Sequence, residues 1–449
     1  MTHPTDTPPN TPAPPVVITL GCRLNFYESA LIDQHARDAK LTDHVFVHSC
    51  AVTAEAVRQS RQAVRRARKQ YPHARLIVTG CAAHIHSETF AAMDEVDDVI
   101  DNTLKLNKQV YQRLQQQQET SASKPTPAHI WHGDSQELST PEDTSHPILR
   151  DFFGRTRGFV SVQEGCDHTC TFCIIPQGRG AHRSVSPQEV ARRCQGLIAQ
   201  GCQEIVLSGV DIASWGQEWH GSLGDLVAFL LQHLKDLPLP RPLPRPLPRL
   251  RLSSLDPARV DDTLLDCFAG DERMMPVMHL SVQSGDDLIL KRMKRRHSRG
   301  DVLRLCQRLR SRRPNMIFGA DMIAGFPTED DQMHRNSCRL LEEAGLVLNH
   351  IFPYSPREGT PAARMPMVPP STRKARAARL RRYSQALLHD TLDSFINKQV
   401  DVLVEDGQKG IGRSEHALPV HFPPNPHWHG RRPMTILSHQ QGILQATTP

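Results

Sequence analysis

The sequence predicts an α/β protein built from three folded parts. These are a doubly wound parallel-sheet domain, a partly open barrel of six β/α units, and a small C-terminal β domain. Three observations predict this. Strand-like and helix-like segments alternate over residues 16–104 and again over 158–354. A stretch rich in Gln, Ser, Thr and Pro, residues 113–149, separates the two. Short strand-like pieces fill residues 397–449. The length of 449 residues agrees, since ~150 residues per domain gives about three domains.

Each element has its own justification. Residues 1–15 (MTHPTDTPPNTPAPP) are too rich in Pro and Thr to pack and read as a disordered tail. VVITL (16–20) reads as a buried strand, ESALIDQHARDA (28–39) has helical spacing, and HVFVHS (44–49) is again strand-like. AEAVRQSRQAVRRARKQY (54–71) is helical, and ARLIVTG (74–80) is the third strand. The N-terminal domain is assigned to residues 16–112, and QQQQ at 115–118 is placed in the linker.

The barrel is assigned to residues 150–396. Its six strands are read at 158–163, 204–209, 250–255, 278–283, 317–326 and 346–354. One segment cannot be helix or central strand: LPLPRPLPRPLPRLR, residues 237–251. It reads as a polyproline insertion. A basic helix follows at 373–396, and VDVLVE, PVHF, MTILSH and GILQA supply the strands of the last domain.

Composition narrows the function. Hydrophobic residues are 38% and charged residues 23%, the balance of a folded soluble chain. No apolar run is long enough to cross a membrane. The N-terminus has no apolar export core, so a cytoplasmic location is expected. The chain has 11 cysteines. In a reducing compartment they point to metal, cluster or redox chemistry rather than to disulfides.

Six of these cysteines sort into two groups of three. In EGCDHTCTFCIIPQGRG (164–180), Cys166, Cys170 and Cys173 follow a strand at C-x3-C-x2-C spacing. Three thiolates in one short loop can hold three irons of a [4Fe–4S] cube. The fourth iron is left open to bind the amino and carboxylate groups of a ligand. Zinc competes, but it favours four ligands in paired spacing, and His168 or His182 would have to complete the set. The other group is dispersed. Cys22, Cys50 and Cys81 each lie just beyond a predicted parallel strand. In an open α/β sheet those strand ends share one rim, so the three thiols converge there. They read as ligands of a second cluster.

The loop with Cys166, Cys170 and Cys173, including the aromatic Phe172, resembles the signature of the radical S-adenosylmethionine (SAM) superfamily. TLGCRLNFYES, HSCAVTAEAVRQSRQAVRRA, VTGCAAH, HLSVQSGDDLILKRMKRRHS, DMIAGFPTED and FPYSPREGTPAARM extend the likeness over residues 16 to about 400. Together they resemble the radical SAM methylthiotransferases, and within them the MtaB-type tRNA enzymes.

The resemblance implies two [4Fe–4S] clusters and two SAM per turnover, one a radical source and one a methyl donor. A 5′-deoxyadenosyl radical would take hydrogen from C2 of N6-threonylcarbamoyladenosine at tRNA position 37. Sulfur would then enter from the cluster on Cys22, Cys50 and Cys81. It also implies SAM contacts near Phe172, Ser208 and Gly209, a tRNA anticodon stem-loop as partner, and a reductant such as flavodoxin or ferredoxin. The C-terminal β domain resembles a short, divergent form of the TRAM RNA-binding module.

From position at strand ends, Ser253 and Gln283 also point to the barrel mouth. Asp211 is a further candidate there, while His279 and Asp321, mid-strand, read as hydrogen-bonding residues. Three basic segments fit an RNA partner: Arg58, Arg61, Arg65 and Arg68 on one helix face, residues 291–313, and residues 373–382. Trp428 with Arg431 and Arg432 could stack on a base. Cys194, Cys202, Cys267, Cys306 and Cys338 share no spacing and read as structural. Other readings stay open: a methylthiotransferase acting on isopentenyladenosine or on a ribosomal-protein aspartate, or a non-catalytic iron–sulfur RNA-binding or redox-sensing protein.

Overall fold

A computed structural model describes residues 13–119, 128–133, 156–234 and 248–448. The chain divides into two compact units. The first holds residues 1–149 together with Ile174–Gly180, and the second holds the rest.

The first unit is a five-stranded, all-parallel sheet in the order β1 to β5: β1 (Val16–Thr19), β2 (His44–Ser49), β3 (Arg75–Gly80), β4 (Asp98–Ile100) and β5 (His129–Trp131). Its β-branched strands alternate their burial between two faces. Val45, Val47, Leu76 and Val78 pack with Val57, Val64 and Ala67 of α2 (Ala54–Gln70), with α3 (Cys81–Ile85) and with α4 (Ser87–Ala91). Phe46 and Ile77 pack on the other face, with Ile32 and Ala36 of α1 (Arg23–Asp38) and with Val110, Tyr111 and Leu114 of α5 (Lys108–Glu119).

Helices therefore cover both faces, as predicted, but the strand order never reverses. The first two crossovers step the same way across the sheet with their helices on opposite faces. One of them must be left-handed, against the usual rule.

The linker assignment needs correction. Residues 113–119 complete α5, and residues 129–131 form the edge strand β5. Composition misled here: Gln is a good helix former, and the run continues a helix whose Val110, Tyr111 and Leu114 are buried. Residues 120–127 and 134–149, residues 1–12 of the tail and residues 237–247 of the polyproline insertion lie outside the described residues, while Arg249–Arg251 at the end of that insertion belong to strand β9.

In the second unit six parallel strands form two halves. β6 (Arg157–Glu164), β8 (Glu204–Gly209) and β9 (Arg249–Leu252) pair in one sheet, with the short antiparallel β7 (Arg183–Ser184) at its edge. β10 (Val277–Gln283), β11 (Ile317–Ala324) and β12 (Leu346–Pro353) form the other. Single parallel bridges, Leu250 to Met274 and Leu255 to Leu280, join the halves. Among the described residues no ladder joins β12 to β6, so the barrel is partly open, as predicted. Its helices are α7 (Pro187–Ala199), α8 (Leu223–His233), α9 (Asp262–Gly270), α10 (Asp287–Arg292), α11 (Arg299–Arg312), α12 (Asp331–Ala344) and α13 (Pro370–Asp393). The five-residue α6 (Ile175–Arg179) belongs to the first unit.

The C-terminal segment closes completely. β13 (Gln399–Asp406), β14 (Ile411–Arg413), β15 (Pro419–His421), β17 (Ile443–Thr447) and β16 (Gly430–Gln440) form a closed barrel around Val402, Val404, Val420, Met434 and Ile436. The sequence reading missed β14 and started a strand only at Met434, whereas β14 and residues Gly430–Pro433 are also in the ladder. Ile317 and Val347, near the starts of β11 and β12, belong to the same core. So does Leu392 of α13. Buried arginines add to this: Arg249 reaches Asp401 at 2.8 Å, and Arg251, held by Glu204 at 2.8 Å, donates to the Glu415 carbonyl at 3.3 Å. The small barrel is thereby fixed to the base of the large one.

Candidate cluster sites

In the first unit the sequential strand order makes β1, β2 and β3 neighbours, so their C-terminal ends lie side by side. Cys22 caps α1, Cys50 follows β2, and Cys81 opens α3. Glycines at two of these turns are obligatory. Gly21 and Gly80 have φ of +96° and +95°. A Cβ on Gly21 would stand 2.6 Å from the Cys50 sulfur, and one on Gly80 would stand 2.4 Å from the Ser49 carbonyl. Cys50 and Cys81 are buried, whereas Cys22 is exposed, so the trio opens to one side. Burial, and then the nearby Cys22 and Cys81 thiols, push Cys50 up to about 11.

Beneath these thiols lies a polar layer that the sequence reading did not find. Asn25 Nδ2 donates to the carbonyls of Leu20 and Ser49, tying two cysteine turns together. Ser49 Oγ donates to the Thr79 carbonyl and accepts from the Ala83 amide, tying the second turn to the third. Glu28, Lys105, His48 and Arg179 form a buried charge group beside Asn25.

In the second unit Cys166, Cys170 and Cys173 sit half-buried on the loop after β6. The loop is pinned by three bonds: Thr171 N to the Met293 carbonyl, Thr171 Oγ1 to the Arg292 carbonyl, and Ala362 N to the Thr171 carbonyl. Phe172 packs edge-on against Phe326, next to Tyr354, Ile289 and Met293. It anchors the loop in an apolar cluster. Arg295 Nη1 stands 3.6 Å from the Cys170 sulfur, and its Nη2 donates to the Ser281 carbonyl. Asp256 is ringed by Arg295, Arg296 and His297. Burial opposes its ionisation, but the His297 contact and the Arg295 and Arg296 guanidiniums hold its carboxyl far below the usual range.

Gln163 is another residue the sequence reading missed. Its amide oxygen accepts from the Val210 and Asp211 amides, and its nitrogen donates to the Glu164 and Gly165 carbonyls. It clamps the ends of β6 and β8 together beneath the cysteine loop. Gly209 has to be small, because a Cβ would fall 2.5 Å from the Gln163 carbonyl. Asp211 bonds His168 at 2.6 Å and Ser214 at 2.6 Å, and burial is outweighed by these donors, so its carboxyl is lowered.

Ser208 is buried in β8, Ser253 follows β9 with its amide on the Leu207 carbonyl, and Gln283 ends β10 at φ +73°. His279 and His350 both bond one oxygen of Asp321, at 3.1 and 3.0 Å.

The donor sets suit iron–sulfur clusters better than single ions. Zinc holds its sulfurs at about 2.3 Å, which crowds them closely together. Neither cysteine trio closes to within 4.8 Å, although Cys166, His168 and Asp211 do. Wider spacing with only thiol donors is what a cube requires. Burial first, then Asp211 and the two companion thiols, push Cys166 up to about 12, so its ionisation calls for a positive centre among the sulfurs.

The basic segments are less available than composition implied. Arg68 bonds Asp97 and the Glu95 and Ala74 carbonyls. Arg299, Arg304, Arg308 and Arg312 each pair with a carboxylate. Arg376 pairs with Asp331 and Glu329. Trp428 packs on Phe422 with the Arg432 guanidinium over its ring, so it is half-buried inside its own domain.

Comparison with known proteins agrees with this geometry. The radical SAM superfamily pattern matches residues 160–341, and that of the uncharacterized protein family UPF0004 matches residues 15–101. The chain is 41% identical to the threonylcarbamoyladenosine tRNA methylthiotransferase MtaB of Rickettsia prowazekii, over 90% of each chain. It is 30% identical to the enzymes of that name from Chlamydia pneumoniae, over 91% of each, and Bacillus subtilis, over 87% and 84%. Among solved structures, the radical SAM methyltransferase TsrM of Kitasatospora setae shares the fold at 14% identity. Its TM-score is 0.54, with 78% and 77% of the two chains covered. Two cysteine trios on these two matched domains, and identity across nearly the whole chain, lead to one conclusion: the chain belongs to the radical SAM methylthiotransferase family that includes the MtaB enzymes.

Proposed function

We propose that the protein inserts sulfur and a methyl group at C2 of N6-threonylcarbamoyladenosine, at position 37 of tRNA. The observation that carries the reading is the pair of thiol trios, one in each unit. Cys166, Cys170 and Cys173 would hold one [4Fe–4S] cluster, and Cys22, Cys50 and Cys81 the other. When bound, the first supplies the electron that cleaves SAM and the second supplies sulfur.

The chain's own residues prepare these events. Thr171 and Phe172 fix the cysteine loop, and Gln163 holds the strand ends that carry it. Ser208, Gly209, Ser253 and Gln283 line the mouth where SAM would lie. Arg295 offers a positive charge beside Cys170. Methylthiolation needs two SAM per turnover, one opened and one donating methyl, and a reductant of the flavodoxin or ferredoxin class. A tRNA substrate would be met in the cytoplasm.

The test is nucleoside mass spectrometry of bulk tRNA from a strain lacking the gene. The 2-methylthio form of threonylcarbamoyladenosine should vanish and return on complementation. An unchanged level, or loss of 2-methylthio-isopentenyladenosine instead, overturns the substrate assignment. In the purified protein, replacing Cys22, Cys50 and Cys81 by Ala should remove about half of roughly eight irons and leave SAM cleavage intact. The same change in the other trio should abolish cleavage.

A further inference from the structure

Around Glu28, two buried side-chain cations face one buried carboxylate. Glu28 is fully buried, and its carboxylate takes Arg179 Nη1 at 2.8 Å and Nη2 at 3.0 Å. Lys105 Nζ joins it at 2.7 Å. Both cationic side chains are only 4% exposed. Burial would raise the Glu28 carboxyl, but these two cations outweigh that and hold it ionised. His48 packs behind, 2.9 Å from Ser29 Oγ and 3.4 Å from Glu28. Asn25 and Asn102 are neutral, and His84 and Asp101 close on each other at 2.8 Å. Two cations thus share one carboxylate, and one buried positive charge is left over. An unmatched buried charge costs several kcal/mol.

That charge lies beside the cysteine trio. Arg179 Nη2 donates to Asn25 Oδ1 at 2.8 Å, and the same oxygen is 3.5 Å from the Cys22 sulfur. The strap that carries Arg179, Ile174–Gly180, lies against Cys81, where a Cβ on Gly178 would stand 3.3 Å from the Cys81 Cβ. Asn102 Nδ2 ties the strap down by donating to the Gly178 carbonyl at 2.7 Å. Arg179 interacts electrostatically with Cys22, Cys50 and Cys81 alike.

We propose that Arg179 is a positioning residue of this site, and that its guanidinium is the counter-charge of the cluster held by Cys22, Cys50 and Cys81. The assignment rests on the two-cluster reading above. A [4Fe–4S]2+ core with three thiolates carries one negative charge, which matches the charge left over, and reduction adds a second. A fixed cation therefore favours the reduced state and raises the reduction potential.

The experiment uses the full chain with Cys166, Cys170 and Cys173 changed to Ala, which leaves one cluster. Iron and sulfide are counted after anaerobic reconstitution, and the midpoint potential is read by redox titration with electron paramagnetic resonance. In this background Arg179→Gln should lower the potential, Arg179→Lys should stay near the parent, and Glu28→Gln should raise it. Iron should remain at about four per chain in the parent. Unmoved potentials in Arg179→Gln and Glu28→Gln at full iron content overturn the counter-charge role alone. A parent that binds no iron overturns the second cluster, and this role with it. Should Arg179→Gln not fold, Glu28→Gln decides by itself: an upward shift supports the role and an unmoved potential overturns it.

Discussion

Changing Glu204 to Gln should loosen the small barrel from the large one. Glu204 starts β8 and is 1% exposed. It accepts Arg251 Nε and Nη2 at 2.8 and 2.9 Å, and Arg249 stands 3.7 Å away. Arg249, fully buried, reaches Asp401 of β13 in turn. Burial would raise the Glu204 carboxyl, but Arg251 and Arg249 bring it from 4.5 down to about 2. That drop of between two and three units corresponds to about 3 kcal/mol at ~1.4 kcal/mol per unit.

An independent estimate agrees: removing one partner of a buried ion pair costs ~3–5 kcal/mol, because the other charge is stranded. The folded value is depressed, so the stabilisation is fully present above the unfolded value near 4.5 and is lost as pH falls towards about 2. Guanidinium denaturation at neutral pH, followed by circular dichroism, should show Glu204→Gln destabilised by about 3 kcal/mol. The difference from the parent should shrink as pH is lowered from 5 towards 2. The exposed pair Arg308–Asp262 is the control, and breaking it should cost under ~1 kcal/mol. A loss for Glu204→Gln no larger than the control's refutes the argument that this pair is energetically buried.

Four further outcomes are expected. Gly21→Ala forces a Cβ onto Cys50 at positive φ, and iron counting should show loss of the cluster of the first trio with SAM cleavage retained. Gln163→Ala frees the ends of β6 and β8, so 5′-deoxyadenosine formation should fall at least tenfold while the N-terminal iron is kept. Cys194 and Cys306 are pushed up to about 12 by burial, so in iron-free protein at pH 8 iodoacetamide should label Cys22 quickly and these two hardly at all. Trp428→Ala removes packing from the small barrel, so it should lower the melting temperature more than it weakens tRNA binding in a filter assay.

The two cysteine trios were legible for different reasons. Cys166, Cys170 and Cys173 are close in sequence, and their spacing alone restricts the chemistry. Cys22, Cys50 and Cys81 were found through periodicity, since each follows a strand pattern and parallel strands share a rim. The Gln-rich stretch shows the limit of composition. Its apolar residues at 110, 111 and 114 carried the helical signal, while the polar run around them carried the appearance of a linker.

Strand and helix periods, glycine turns and cysteine positions are local properties, and the sequence determined them by itself: two α/β parts, a β module and two trios of thiols at strand ends. Tertiary structure decided which charges meet. Arg179 and Glu28 are 151 residues apart, Arg295 and Cys170 are 125 apart, and Arg249 and Asp401 are 152 apart. No spacing announces such pairs, because a long charged side chain is chosen by the cavity it fills and not by its neighbours in the chain. For the same reason several arginines that looked free for phosphate pair instead with acids of the same chain.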